Sequence, residues 1–333
     1  MGRGETRRSL SYSTGHDLVA RAAGISHMLT ALLFPGQGSQ YAGMGKSLWD
    51  AFPIARATFQ EADDALNFSL SDLCFNGPDE ALKLTENTQP ALLATSVAAH
   101  RVLARTCAFV AGHSLGEYSA LVAAGSLDFA DALRLVRKRG QYMQQAVPAG
   151  VGAMAALLKL PEGKLDAILQ KASQGEIVSA ANLNSPDQVV IAGHTGAVQR
   201  AVELAKQAGA RRAVILPVSA PFHCALMKPA QEQLSADLDA TEFRDLDVPL
   251  INNWQAMPIH TGNDARRGLF EQVPNPVLWS DSIRYLASQG VTRFIEVGAG
   301  GVLTGLLRNI NLELQGLKFG EAEDLEKINA AIS

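Results

Sequence analysis

From Met28 onward, short apolar runs alternate with stretches whose apolar residues recur every three or four positions. That alternation predicts strands joined by crossover helices in an α/β sheet. Leu29 to Phe34 reads as a strand that stops at Pro35-Gly36. Pro90 to Arg105 reads as a helix with Asn87 or Thr88 as its cap and the proline in its first turn. Ala108 to Ala111 reads as a buried strand, and Glu117 to Ala124 as a helix that stops at Gly125. Asp128 is a suitable N-cap for a longer helix running to about Ala146.

Between residues 150 and 218 the order changes. Strand Met154 to Leu158, helix Gly163 to Ala172, strands Ile177 to Ala181 and Val189 to Ala192, helix Ala197 to Ala208 and strand Ala213 to Leu216 give β-α-β-β-α-β, a ferredoxin-like split motif. Asn184-Ser185-Pro186-Asp187 supplies the turn chemistry of its central hairpin. The main pattern resumes with strands at Pro249 to Asn252 and Thr292 to Val297. The expected organisation is therefore a large α/β domain from residues 28–149 and 219–333, with a small ferredoxin-like domain at 150–218 inserted into it. Residues 1–27 lack a strong apolar period and precede a second start at Met28, so they read as a leader, an expression scar or an over-long reading frame, outside the fold.

Composition narrows the function classes. With 333 residues, 47% hydrophobic and 19% charged, the chain can bury a large core, which excludes disorder as the default. The net charge of −4 and the absence of a Lys/Arg block with interleaved aromatics argue against nucleic acid as a partner, so any anion site is local. Cys74, Cys107 and Cys224 are widely spaced with no C-x-x-C pair, which speaks against a disulfide framework or a zinc site and fits a reducing, cytoplasmic setting. No uninterrupted apolar run is long enough to cross a bilayer, so no membrane partner is expected.

Gly112-His113-Ser114-Leu115-Gly116 matches G-x-S-x-G between a predicted strand and a predicted helix, which makes Ser114 a candidate nucleophile; the alternative is a small-residue turn that happens to hold a serine. A serine hydroxyl needs a base within hydrogen-bond reach. His223 is the choice among seven histidines, because it follows a predicted strand in a loop stiffened by Pro217 and Pro221. His113, beside the serine, reads as structural support. The glycine-rich loop Phe34 to Gln40 can present main-chain N–H groups, so the N–H of Gln37 could pair with that of Leu115 as an oxyanion hole, or the loop is simply a turn. On a helix from Asp128 to Ala146, Arg139 projects between Ala132, Leu135, Val136 and Met143, in the middle of the apolar stripe. A guanidinium on that face needs an anion: either a buried Asp or Glu, or a substrate carboxylate, which its planar fork pairs bidentately.

These residues, with the segments around them, resemble bacterial malonyl-CoA:acyl carrier protein transacylases. The resemblance spans Met28 to Ser333 and is carried by FPGQGSQ at Phe34 to Gln40, TQPALL at Thr88 to Leu93, AGHSLGEYSALVAAG at Ala111 to Gly125 and RG-x-x-M at Arg139 to Met143. NSP-x-QVVIAG at Asn184 to Gly193, HCALMKPA at His223 to Ala230, NPV-x-W at Asn275 to Trp279 and EVG at Glu296 to Gly298 complete it. It implies an α/β-hydrolase-like core with a parallel sheet and a ferredoxin-like insert. It also implies an acyl-serine at Ser114, His223 as base, Gln37 and Leu115 as oxyanion donors and Arg139 on the malonyl carboxylate. Gln272, for which the residues themselves give no signal, is implied to orient His223 through its main-chain carbonyl. The substrates implied are malonyl-CoA and acyl carrier protein, in fatty-acid synthesis, with no cofactor beyond the coenzyme A thioester itself. Phe222, before the base, resembles the malonyl-selective type of related acyltransferases. Two other functions compete: a serine hydrolase or thioesterase passing the acyl group to water, and a non-catalytic carrier-protein docking subunit.

Overall fold

The computed structural model describes residues 29–218 and 220–332. The expected leader at 1–27 lies outside the described residues, as does Ser219 in the loop before the candidate base.

Among the described residues ten strands form two sheets: β1 Leu29–Phe34, β2 Phe109–Gly112, β3 Gly152–Leu158, β4 Val178–Ser185, β5 Gln188–His194, β6 Arg212–Ile215, β7 Leu250–Ile251, β8 Pro258–Ile259, β9 Val291–Val297 and β10 Gln315–Phe319. The larger sheet has the order β10-β9-β1-β2-β7-β8. Its first five strands are parallel, but β8 runs antiparallel to β7, so the sheet is mixed where a parallel one was expected. The cause is the link between the two strands. Asn252 closes it with an N–H bond to the Met257 carbonyl at 3.0 Å, and a loop this tight has no room for the crossover a parallel return requires.

Strand β1 lies at the centre because its residues satisfy both faces. Ala31, Leu32, Leu33 and Phe34 are all fully buried. Ala31 and Leu33 pack with Ala111, Ile251, Trp279 and Phe294 on one side, while Leu32 and Phe34 join the main core on the other.

The helix Thr85–Leu103 begins five residues before the expected Pro90 and carries the proline inside it. Neither Asn87 nor Thr88 caps it. Asn87 Nδ2 donates to the Ala81 carbonyl at 3.0 Å and Thr88 Oγ1 to those of Leu82 and Leu84 at 2.5 and 3.1 Å, so both hold the turn ahead of the helix and allow an earlier start. The helix Phe129–Gln145 is capped as expected: Asp128 Oδ1 accepts the N–H groups of Ala130 and Asp131 at 2.9 and 3.2 Å. Its buried face carries Ala132, Leu135, Val136, Arg139 and Met143 together. On the outer face Arg134 pairs with Asp131 at 2.8 Å and Lys138 with Asp237 at 2.5 Å.

The smaller sheet has the order β4-β5-β3-β6, and every pair in it is antiparallel. Helices Leu165–Ser173 and Thr195–Gln207 cover one face through Ala155, Leu157, Ile191, Val198 and Ala201. From the other face Met154, Val190 and Ala192 enter the main core. Val277 lies parallel alongside β4, exchanging bonds with Leu183 and Ala181 at 2.9 Å each, and so fastens this sheet to the segment that follows Gln272. Among the described residues no helix is long and apolar enough to cross a membrane.

Candidate active site

Strand β2 ends at Gly112 and the helix Leu115–Ala123 starts two residues after His113, which leaves Ser114 to make the whole reversal. Its backbone sits at φ 51°, ψ −105°, a conformation that costs a non-glycine residue about 1–3 kcal/mol and therefore has to be held from outside. Two amides hold it. The Ser114 N–H donates to Asn253 Oδ1 at 2.7 Å, and Gln272 Nε2 donates to the Ser114 carbonyl at 3.0 Å. The flanking glycines are steric necessities: a Cβ at Gly112 would lie 1.9 Å from the Gly116 carbonyl, and one at Gly116 would lie 2.0 Å from the Phe34 carbonyl. Neither clash involves a side chain that could move. Gly116→Ala is therefore expected to cost about 3 kcal/mol or more of stability, read as a lower urea midpoint at unchanged slope. An unchanged midpoint would contradict the close approach of β1 to the elbow.

His223 comes from the loop after β6, at φ 58° and 3% exposed. Its Nε2 lies 2.7 Å from Ser114 Oγ and its Nδ1 3.0 Å from the Gln272 carbonyl oxygen. A carbonyl only accepts, so Nδ1 carries the proton and Nε2 turns its lone pair to the serine hydroxyl. Burial pushes the imidazole pKa down to about 3, with the Arg139 charge as second cause and the Gln272 carbonyl opposing only in part. The ring is thus neutral at physiological pH, the state a base requires.

Arg139 is 2% exposed. Its Nη1 donates to Gln89 Oε1 at 2.7 Å, and its Nη2 to Gln272 Oε1 at 2.8 Å and Ser114 Oγ at 3.1 Å, while the guanidinium stands 5.4 Å over the Tyr118 ring. The structural alternative, a direct pair with a buried carboxylate, does not occur among the described residues, because every hydrogen-bond partner of this cation is neutral. Burial pushes its pKa down, opposed by Tyr118 and Glu117. Glu117 is fully buried, and its Oε2 accepts Gln272 Nε2 at 2.8 Å and the Asn253 N–H at 3.0 Å. Burial pushes its carboxyl up to about 7, against those two donors and the Arg139 charge.

The loop after β1 is drawn against the elbow at Gly36, where a Cβ would lie 2.3 Å from the His113 carbonyl. Gln37 follows this contact in the chain, its side-chain Nε2 donating to Thr85 Oγ1 at 3.5 Å, and Leu115 opens the helix after Ser114. Among the described residues neither main-chain N–H takes a backbone carbonyl partner, and the start of the helix adds its own dipole. His113 turns away from the serine, its Nε2 2.8 Å from Asn184 Oδ1 and its ring 5.5 Å from that of Trp279, as a supporting residue would.

Of the residues expected from the sequence and the resemblance, Ser114, His223, Arg139 and Gln272 are joined by direct hydrogen bonds, and Leu115 follows Ser114 in the chain. Gln89, Glu117 and Asn253 had not been singled out. Gln89 lies inside the TQPALL segment and Glu117 directly follows G-x-S-x-G, whereas Asn253 belongs to no pattern at all. Among the described residues no group of three or more His, Cys, Asp or Glu side chains is placed to hold a metal ion.

A strained serine on a strand-to-helix elbow, held by a neutral imidazole and a buried cation in an α/β scaffold, defines the class of serine-nucleophile acyl-group enzymes. The chain belongs to the acyl transferase domain family, whose pattern it matches over residues 31–315. It is 49% identical over 300 residues to the malonyl CoA-acyl carrier protein transacylase of Bacillus subtilis (strain 168), covering 89% of this chain and 95% of that one. The structure of an acyl carrier protein S-malonyltransferase from Vibrio cholerae superimposes with a TM-score of 0.88 at 46% identity, covering 90% of this chain and 99% of that one. A malonyl-transacylase solved in complex with its type II PKS acyl-carrier protein superimposes with a TM-score of 0.88 at 45% identity, covering 90% and 98%.

Proposed function

We propose that the chain transfers the malonyl group from malonyl-CoA to the phosphopantetheine thiol of acyl carrier protein, supplying fatty-acid chain elongation, by a ping-pong reaction through a malonyl ester on Ser114. The observation that carries this reading is the Arg139 guanidinium, buried 3.1 Å from Ser114 Oγ with neutral hydrogen-bond partners only among the described residues. An acyl chain on Ser114 that ends in a carboxylate supplies the missing anion; one that ends in a methyl group does not.

The hydrogen bonds among Ser114, His223, Arg139 and Gln272 support the following steps. Ser114 Oγ attacks the thioester carbonyl as its proton passes to His223 Nε2. The Gln37 and Leu115 N–H groups receive the oxyanion. The C–S bond breaks, the imidazolium returns its proton to the leaving coenzyme A sulfur, and the malonyl group remains as an ester. The carrier thiol then gives its proton to Nε2 and attacks the ester, and the serine leaves with that proton. Gln272 keeps the imidazole in the Nδ1–H tautomer throughout. Coenzyme A enters as substrate and no cofactor is needed, since every proton lost is regained.

The strand order and directions of the two sheets support the finer reading of an α/β-hydrolase-like core at 28–149 and 219–333 with a ferredoxin-like domain at 150–218. A cytoplasmic setting is supported by the three free cysteines.

The test is to incubate the protein with radiolabelled malonyl-CoA, isolate labelled protein and follow its discharge. Release to carrier protein, with slow release to water, is expected. Rapid loss to water would make the protein a hydrolase, and no labelling would leave a docking subunit. For Arg139→Ala, loss of a charge-assisted hydrogen bond worth about 1.5–3 kcal/mol should cut malonyl transfer at least roughly tenfold while acetyl transfer survives or improves. Arg139→Lys should restore part of the malonyl activity, because an ammonium keeps the charge without the planar fork. Equal losses for both acyl groups would remove the carboxylate clamp.

A further inference from the structure

Glu117 is a buried carboxylate that the steps above leave without a task. It occupies the third position of the nucleophile helix and is fully buried. Its Oε2 accepts from two amides, the Asn253 N–H and the Gln272 Nε2, and both lead back into the site. Asn253 Oδ1 receives the Ser114 N–H at 2.7 Å. Gln272 Oε1 receives Arg139 Nη2 at 2.8 Å, while its Nε2 also donates to the Ser114 carbonyl at 3.0 Å.

A guanidinium only donates and a main-chain carbonyl only accepts, so one of the two flips of the Gln272 amide serves both neighbours and the other serves neither. Glu117 Oε2 stands at the NH₂ end of that amide and rewards the productive flip. Reversed, the amide would present its NH₂ to the Arg139 N–H groups and release Nη2 from its place beside Ser114 Oγ.

We infer that Glu117 is a positioning residue for acyl-group selection: its carboxylate oxygen locks the Gln272 side-chain amide, which aims Arg139 at the acyl chain carried by Ser114. Preference for a carboxylate-bearing acyl group then depends on a residue that never touches the acyl group. The inference rests on the reading of Arg139 as the carboxylate clamp. The lock needs an acceptor at the Oε2 position and does not need a charge, since the oxygen receives both N–H groups in either protonation state. Glutamine, turned with its oxygen toward Asn253 and Gln272, supplies the same acceptor. Leucine fills similar space and supplies none.

The test compares kcat/KM for malonyl and acetyl transfer from coenzyme A to carrier protein by the full chain. Glu117→Leu is expected to lower the malonyl-to-acetyl ratio about fivefold to tenfold, chiefly through a higher malonyl-CoA KM. Glu117→Gln should keep the ratio within about twofold of the native value, because the acceptor is retained. Gln272→Met, which removes the amide and keeps the main-chain carbonyl for His223, should reproduce the leucine variant's loss. Adding Glu117→Leu to it should change the ratio no further. A purely structural Glu117 would instead lower both acyl activities and the melting temperature together with the ratio intact, and that result overturns the proposal. So does a glutamine variant as defective as the leucine variant, or a Gln272→Met protein with native selectivity. A ratio that Arg139→Ala fails to move sinks the clamp itself, whereas a ratio moved by Arg139→Ala but by neither Glu117→Leu nor Gln272→Met sinks the Glu117 assignment alone.

Discussion

Replacing Ser114 with alanine is expected to abolish covalent capture of malonyl from malonyl-CoA and to lower carrier-protein malonylation by about 10³-fold or more. The hydroxyl is the point on which the site converges: it lies 2.7 Å from His223 Nε2 and 3.1 Å from Arg139 Nη2. Alanine removes that atom and little else. The bonds to Asn253 and from Gln272 use the Ser114 N–H and carbonyl, which alanine keeps. Melting temperature should therefore change little, and malonyl-CoA should still bind through Arg139. Intact-protein mass spectrometry after brief exposure to malonyl-CoA measures the outcome. Native protein should gain one malonyl group and the variant none; a variant that still gained it would place the acyl group on another residue and break the proposed mechanism.

The second large effect concerns the base. His223→Ala should slow both half-reactions by about 10²–10⁴-fold, the range a positioned general acid–base supplies, while malonyl-CoA binding changes far less. Its pH dependence carries a sign that can be worked out. A base acts as the neutral imidazole, and burial together with the Arg139 charge pushes the His223 pKa down to about 3. The pH profile of kcat/KM for the free enzyme should therefore show no acid limb from this group near the ordinary histidine value of about 6.5. Arg139→Ala removes a nearby positive charge, which makes the imidazolium easier to form, so the limb should move to higher pH. An acid limb near 6.5 in the native protein, or a downward move in the variant, would contradict the burial and the charge coupling described for this ring.

Much of this was legible in the residues because local chemistry and the tertiary result agree. Phe34-Pro35-Gly36, the elbow around Ser114 and the Asp128 cap each say where the chain must turn, and the apolar stripe that encloses Arg139 is a matter of helical period alone. The four strands and two helices of the antiparallel sheet region were readable for a similar reason, since they alternate with clear turns. The misses have a common cause in contacts that are distant in sequence. Pro90 suggested a helix start, yet Asn87 and Thr88 bind carbonyls upstream and carry the helix back to Thr85. The short β8 and the edge strand β10 exist by pairing with neighbours, and a segment as brief as Pro258–Ile259 has no period to read. The same holds within the site. Glu117 and Asn253 meet across 136 positions of chain, and nothing local to Asn253 announces that its amide will hold a nucleophile.

These separations also bear on how the protein comes into being. Ser114 is 109 positions from His223 and 158 from Gln272, so a ribosome delivers the proposed nucleophile long before the ring proposed to activate it, and the ring well before the carbonyl it bonds. Loops of that length close slowly, and the strained elbow gains its outside supports from Asn253 and Gln272 only at the end. A nascent or truncated chain is thus expected to carry a serine with ordinary alcohol reactivity. Competence to react arrives together with the completed fold.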